Sequence, residues 1–195
     1  MNARGINRGT SGNVSARVDK GFLVTPSALP YERTEPDDIV FVDADGAASG
    51  RRNPSSEWRF HRDIYAARPD AQAIVHTHAS FATTLACLGR SIPAFHYMIA
   101  VAGGDDIRCA PYATFGTQAL SDHAVRALED RKACLLAHHG MIAVGASLGS
   151  ALALAAEVET LAEMYWRAIA VGEPALLSDD EMARVVARFE TYGKP

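Results

Sequence analysis

Lysine is scarce in this 195-residue chain, present only as Lys20, Lys132 and Lys194. Each falls in a turn, at an element edge or near the terminus, so none reads as the desolvated amine that Schiff-base chemistry needs. If the chain stabilises a carbanion, a metal must do it. Cysteine is equally sparse: Cys87, Cys109 and Cys134 are odd in number and widely spaced. They suit buried thiols in a reducing cytoplasm rather than a disulfide framework. No apolar run approaches the roughly 20 residues needed to span a bilayer, and Met1-Asn2-Ala3-Arg4 lacks the apolar core of a signal peptide. The expectation is a cytoplasmic protein. A net charge of −4 without a basic cluster argues against a nucleic-acid partner.

What is present points to one globular domain over residues 1–195, since 48% of the residues are hydrophobic and 22% charged. Asn13–Val18 and Phe22–Thr25 read as a hairpin across Asp19-Lys20-Gly21. Ile39–Val42, Ala73–His78, Ile107–Tyr112 and Cys134–His138 read as further strands. Ser55–Arg68 reads as a helix after Pro54, with Ser55 or Ser56 as its N-cap. Further helices are expected at Ser80–Leu88, Thr117–Glu129 and Leu148–Val171, and a last one starts at Ser178. Strands and helices are mixed without strict alternation, which predicts an α/β fold with a mixed sheet between helical layers.

Histidine placement carries the chemistry. His76 and His78 sit one residue apart in the apolar run Ala73-Ile74-Val75-His76-Thr77-His78, and on a strand such residues share a face. A tandem pair, His138-His139, follows a second apolar run, Cys134-Leu135-Leu136-Ala137. One imidazole from that second strand would complete a three-histidine site with an open coordination position, typical of catalytic zinc. Neighbours on a strand face opposite ways, so the pattern leaves open which of His138 and His139 points inward. His61, His96 and His123 lack a paired partner, and His61 and His123 read as ordinary histidines. Glu57 shares a helical stripe with Phe60, His61 and Ile64. A first-turn glutamate favoured by the helix dipole is the plain explanation. A core-facing carboxylate is costly unless it meets a metal or serves as a base, and the nearby histidines favour that reading.

Gly9-Thr10-Ser11-Gly12-Asn13 is a glycine-rich loop entering a strand. It lacks both the Lys-Ser/Thr ending of a P-loop and the following helix of a dinucleotide fingerprint. Thr25-Pro26-Ser27 and Pro54-Ser55-Ser56 add hydroxyls and a helix N-terminus, where backbone N–H groups favour anions. Together these segments could hold a phosphate with mostly neutral donors.

In this order, the motifs resemble the class II aldolase/adducin family, in particular its bacterial branch acting on L-fuculose 1-phosphate. The resemblance runs from about Gly5 to Gly193. It is carried by Gly9-Thr10-Ser11-Gly12-Asn13-Val14-Ser15, Pro54-Ser55-Ser56-Glu57-Trp58-Arg59-Phe60-His61 and Val75-His76-Thr77-His78. It continues through Ser91-Ile92-Pro93-Ala94-Phe95-His96-Tyr97-Met98-Ile99-Ala100, Cys109-Ala110-Pro111-Tyr112-Ala113-Thr114-Phe115-Gly116-Thr117 and His138-His139-Gly140. The resemblance implies a mixed, largely antiparallel sheet in an α/β/α arrangement, and one zinc ion per subunit on His76, His78 and His139. Glu57 would be the acid/base, also able to contact the metal. Phosphate would sit among Thr10, Gly12, Asn13, Ser27, Ser55 and Ser56, with Phe115 walling the aldehyde end. Tyr97 and Tyr192 would enter the site from a neighbouring subunit of a homotetramer.

The implied reaction is cleavage of L-fuculose 1-phosphate, or a close ketose 1-phosphate, to dihydroxyacetone phosphate and L-lactaldehyde through a metal-stabilised enediolate. The alternatives within the family are a pentulose-phosphate 4-epimerase and a methylthioribulose or 5-deoxypentulose phosphate aldolase. A non-catalytic adducin-like interaction module is the reading from another class. Two departures from the family pattern stand out. The chain reaches its Gly-Thr loop without the helix that usually comes first, and Ala28 stands where glycine is usual beside the phosphate hydroxyls.

Overall fold

The computed structural model describes residues 1–191. The expected hairpin forms as strands β1 (Asn13–Val18) and β2 (Gly21–Val24), and β3 (Val40–Asp43) and a short β4 (Ala48–Ser49) extend that side of the sheet. β5 (Ala73–Thr77), β6 (Arg108–Ala110), β7 (Ala133–Leu136) and β8 (Gly140–Gly145) complete it. The eight strands run in the order β4-β3-β2-β1-β5-β8-β7-β6. Among the described residues only the β6–β7 pair is parallel, which makes the sheet mixed and largely antiparallel.

Helices α1 (Trp58–Ala67) and α3 (Gln118–Ala127) cover one face, and α2 (Ser80–Cys87), α4 (Leu148–Val171) and α5 (Asp179–Thr191) cover the other. Side-chain alternation divides the central strands between the two layers. Ala73 and Val75 pack towards α2 and α4, whereas Ile74 joins Phe60, Ile64 and Leu120 beneath α1 and α3. β5 is buried along its whole length, which is why it reads as an unbroken apolar run. No helix among the described residues is long and apolar enough to cross a membrane.

Three expectations require correction. His138 is not on a strand: β7 ends at Leu136, and Ala137-His138-His139 forms the turn into β8, with His138 at φ 56°. The sequence reading had no separate β8. Helix α1 begins at Trp58, so neither Ser55 nor Ser56 is its N-cap; Glu57 occupies that position, and its side chain caps no backbone N–H. The strand expected at Ile107–Tyr112 contracts to Arg108–Ala110.

Two glycines let loops close against the end of β5. A Cβ on Gly12, which sits at φ 72°, would lie 2.6 Å from the His76 carbonyl oxygen. One on Gly140 would lie 2.6 Å from the Thr77 carbonyl oxygen and 3.0 Å from the His78 ring. Both backbones therefore press on the strand that carries the histidines.

Candidate metal centre and its cavity

β5 delivers His76 near its end and His78 just beyond it, and the β7–β8 turn brings His139 alongside. The His76 Nδ1 lies 2.9 Å from the Met141 carbonyl oxygen, to which it donates. That bond fixes the tautomer and leaves the Nε2 lone pair facing the other histidines. His76 Nε2 is 3.1 Å from His78 Nε2, and the three rings meet edge-on with centroids 4.8–5.0 Å apart. Glu57 closes the group: its Oε2 lies 3.2 Å from His76 Nε2 and its Oε1 3.1 Å from His139 Nε2. The four ligand atoms all fall within 4.8 Å of one another.

This donor set fits a divalent metal ion. Apart from His139 Nε2 at 3.1 Å, the buried Glu57 Oε1 has no hydrogen-bond partner, a costly state that an ion would relieve. Burial, reinforced by His76 and His139, pushes the His78 imidazole down to about 4, keeping it in the neutral form that binds metals. Burial alone would raise the Glu57 carboxyl, but the His76 and His139 imidazoles outweigh it and hold the group well below the usual carboxylate range. Three imidazole nitrogens and a carboxylate oxygen suit zinc and its first-row neighbours.

His139 joins the cluster, whereas His138 is exposed, with its ring edge-on to Tyr112 at 5.9 Å. The turn, rather than strand alternation, separates them.

A cavity of about 320 Å³ opens over the cluster. Thr10, Gly12, Asn13, Ser27, Ser55, Ser56 and Phe115 line it together with Glu57, His78 and His139. The hydroxyl segments meet because Ser55 N–H donates to the Thr25 carbonyl and Ser27 N–H to that of Asn53, both at 3.1 Å. No lysine or arginine is among the described lining residues, so the cavity offers an anion neutral donors. Ala28 also lines it and takes φ 57°, so alanine keeps the left-handed backbone that glycine adopts more readily.

Tyr97 is not brought to this cavity. It lies on the 3-10 stretch Tyr97–Ala102, is 50% exposed, and its ring stacks 6.5 Å from that of Phe189. Tyr192 lies outside the described residues. A larger cavity of about 620 Å³, among Met98, Val101, Val144, Ala153 and Leu154, holds none of the four donors.

The sequence reading missed Tyr112 and His138 as lining residues and passed over His61. That histidine is fully buried between Ser15 and Asn13. Its i, i+4 spacing from Glu57 places it on that residue's stripe but assigns it no role.

Residues 1–166 match the class II aldolase and adducin N-terminal domain family. The chain is 61% identical over 189 residues to a 5-methylthioribulose-1-phosphate/5-deoxyribulose-1-phosphate aldolase of Rhodospirillum rubrum, covering 97% of this chain and 86% of the relative. It is 53% identical over 194 residues to the L-fuculose phosphate aldolase of Escherichia coli strain K12, covering 99% and 90%. A solved L-fuculose 1-phosphate aldolase superposes with a TM-score of 0.92 at 42% identity, covering 95% of this chain and 88% of that one. The chain belongs to the class II aldolase and adducin family. Within that family it is an aldolase, of the metal-dependent class.

Proposed function

We propose that the chain cleaves a ketose 1-phosphate to dihydroxyacetone phosphate and a short aldehyde, using zinc held by His76, His78 and His139 with Glu57 beside it. The observation that carries this reading is the convergence of those four donors at one end of a cavity lined by hydroxyls at the other. L-fuculose 1-phosphate, giving L-lactaldehyde, is the first substrate. A 5-deoxypentulose or methylthioribulose 1-phosphate is the second reading, favoured by the 61% identity to the Rhodospirillum rubrum relative.

When bound, the metal supplies Lewis acidity to the ketone and its adjacent hydroxyl, stabilising the charge left by carbon–carbon cleavage. The chain's own groups do the rest. Thr10, Asn13, Ser27, Ser55 and Ser56 hold the phosphate through hydroxyl, amide and backbone donors, with Gly12 letting the loop approach. Glu57, ionised at rest, takes the carbon-bound proton of dihydroxyacetone phosphate in the synthetic direction; in cleavage it first gains a proton from solvent and then passes that proton to carbon. Phe115 walls the aldehyde end.

Tyr97 relays the proton of the hydroxyl that becomes the aldehyde, releasing its own O–H proton to solvent, which balances the proton that Glu57 delivers to carbon. Its distance from its own cavity supports delivery by a neighbouring subunit of a homotetramer, with Tyr192 entering the same way. Mixing His76→Ala with Tyr97→Phe under subunit exchange tests this: activity should exceed the sum of the separate variants. Recovery no greater than that sum, with exchange verified, would return Tyr97 to its own subunit or to no role.

The substrate is tested by incubating the zinc-loaded enzyme with L-fuculose 1-phosphate, 5-methylthioribulose 1-phosphate, 5-deoxyribulose 1-phosphate and L-ribulose 5-phosphate. Dihydroxyacetone phosphate should form from at least one of the first three. Isomer formation from the last, without cleavage products from the others, would make the chain an epimerase instead.

A further inference from the structure

Behind Glu57, on the side away from the cavity, a helix and a strand mesh polar groups inside an otherwise apolar layer. Glu57, the N-cap of α1, and His61 and Tyr65 on the buried side of that helix follow one another at four-residue spacing, about 6 Å per helical step. Asn13 and Ser15 share the facing side of β1, about 6.6 Å apart. The near-equal spacings let the two rows interdigitate. Tyr65 Oη is 2.8 Å from Ser15 Oγ, which is 2.7 Å from His61 Nδ1. His61 Nε2 is 2.5 Å from Asn13 Oδ1, and Asn13 Nδ2 donates to Glu57 Oε2 at 3.0 Å. All five residues are buried.

Only one arrangement of hydrogens satisfies this row while Glu57 is ionised. His61 is fully buried and held neutral, its imidazole pushed down to about 3 by burial, so it has a single N–H. If that hydrogen sat on Nδ1, Nε2 would need the Asn13 amide N–H. The Asn13 oxygen would then face the Glu57 carboxylate, acceptor against acceptor. With the hydrogen on Nε2, every donor meets an acceptor: Tyr65 to Ser15, Ser15 to His61, His61 to Asn13, and Asn13 to Glu57.

We propose that His61 is a positioning residue which, backed by Ser15 and Tyr65, locks the Asn13 amide so that its N–H steadies the Glu57 carboxylate. Oε2 is thereby tethered from behind while Oε1 stays at the histidine cluster. The role rests on the reading of Glu57 as acid/base, and it makes Asn13 the joint between the phosphate loop and the reacting centre.

Two measurements test it. In the metal-free protein, long-range ¹H–¹⁵N spectra should show His61 as a single Nε2–H tautomer; the Nδ1–H tautomer, or a mixture, would overturn the proposal. In kinetics with the ketose 1-phosphate that the zinc enzyme cleaves, His61→Phe should keep its metal and lose about ten- to hundredfold in kcat, more than KM rises. His61→Gln, whose amide can reach towards Asn13, should recover most of that loss. In a Glu57→Gln background, His61→Phe should cost less than about twofold further, because it acts through the missing carboxylate. If His61→Phe fails to fold, Ser15→Ala carries the same pair of measurements. A His61→Gln as impaired as His61→Phe, metal loss in either, or an undiminished cost in the Glu57→Gln background would overturn it. Near-native turnover in Glu57→Gln alone would instead remove the acid/base reading on which it stands.

Discussion

At the histidine end of the cavity the donors sit on or just beyond a buried strand, at a helix start and on the turn between two strands. At the hydroxyl end all the donors but Asn13, the first residue of β1, sit on loops whose backbone takes left-handed conformations at Gly12 and Ala28. The first end concentrates buried titratable groups whose charges depend on one another. The second offers neutral donors that work without any ionisation. Substitutions at the two ends should therefore separate cleanly: the histidine end governs metal content and kcat, and the hydroxyl end governs KM and local backbone stability.

The sharpest break in that comparison is made at the tandem histidines. His139→Ala should lose bound metal and with it essentially all turnover, while His138→Ala should retain about one zinc per chain. Elemental analysis of the two variants decides the matter, and equal metal content in both would move the third ligand elsewhere. Glu57→Gln is next in size. It should keep the fold yet lower kcat by about 10²–10⁴-fold, the usual contribution of a positioned acid/base. Steady-state kinetics on metal-loaded protein is the check.

The hydroxyl end should answer differently. Ser27→Ala or Ser56→Ala removes one neutral donor to a charged group and should raise KM by about tenfold with kcat little changed. Asn13→Ala is the informative exception, because Asn13 both lines the cavity and donates to Glu57. It should move KM and kcat together. Initial-rate kinetics on the three variants would show whether the division between the ends holds at every residue but the one that joins them.

How much of this the sequence discloses follows from local rules and their limits. β5 was legible because burial on both faces leaves an apolar run, and because two-residue periodicity puts His76 and His78 on one side. The β7–β8 hairpin was not, because Ala137-His138-His139 contains none of the glycine, asparagine or proline that usually marks a turn. Without punctuation the first apolar run reads as a strand through His138, and the second, Met141-Ile142-Ala143-Val144, goes unassigned. The same gap hid the reason why His139, and not His138, joins the cluster. Glu57 was found by its helical stripe although it precedes the helix, since an N-cap residue keeps nearly the same angular position as the turn that follows. The role of His61 was out of reach, because it depends on the pitch of α1 matching that of β1 across the sequence separation of 46 from Ser15 to His61.

Ala28 tests the hydroxyl end at the smallest scale. Its φ of 57° costs an L-residue with a Cβ roughly 1–2 kcal/mol relative to a right-handed conformation. Glycine carries no such cost in the folded state, but it loses more chain entropy on folding, which offsets part of the gain. Ala28→Gly should therefore stabilise the protein by a net of about 0.5–1 kcal/mol, seen as a higher denaturant midpoint at unchanged slope. Because the backbone already holds the conformation that glycine would take, KM for the ketose 1-phosphate should stay close to its original value. A fall in KM of tenfold or more would mean that the alanine methyl obstructs the phosphate, so that the departure from the family pattern acts on binding rather than on the backbone. A loss of stability would mean that the loop does not hold Ala28 in the left-handed region at all.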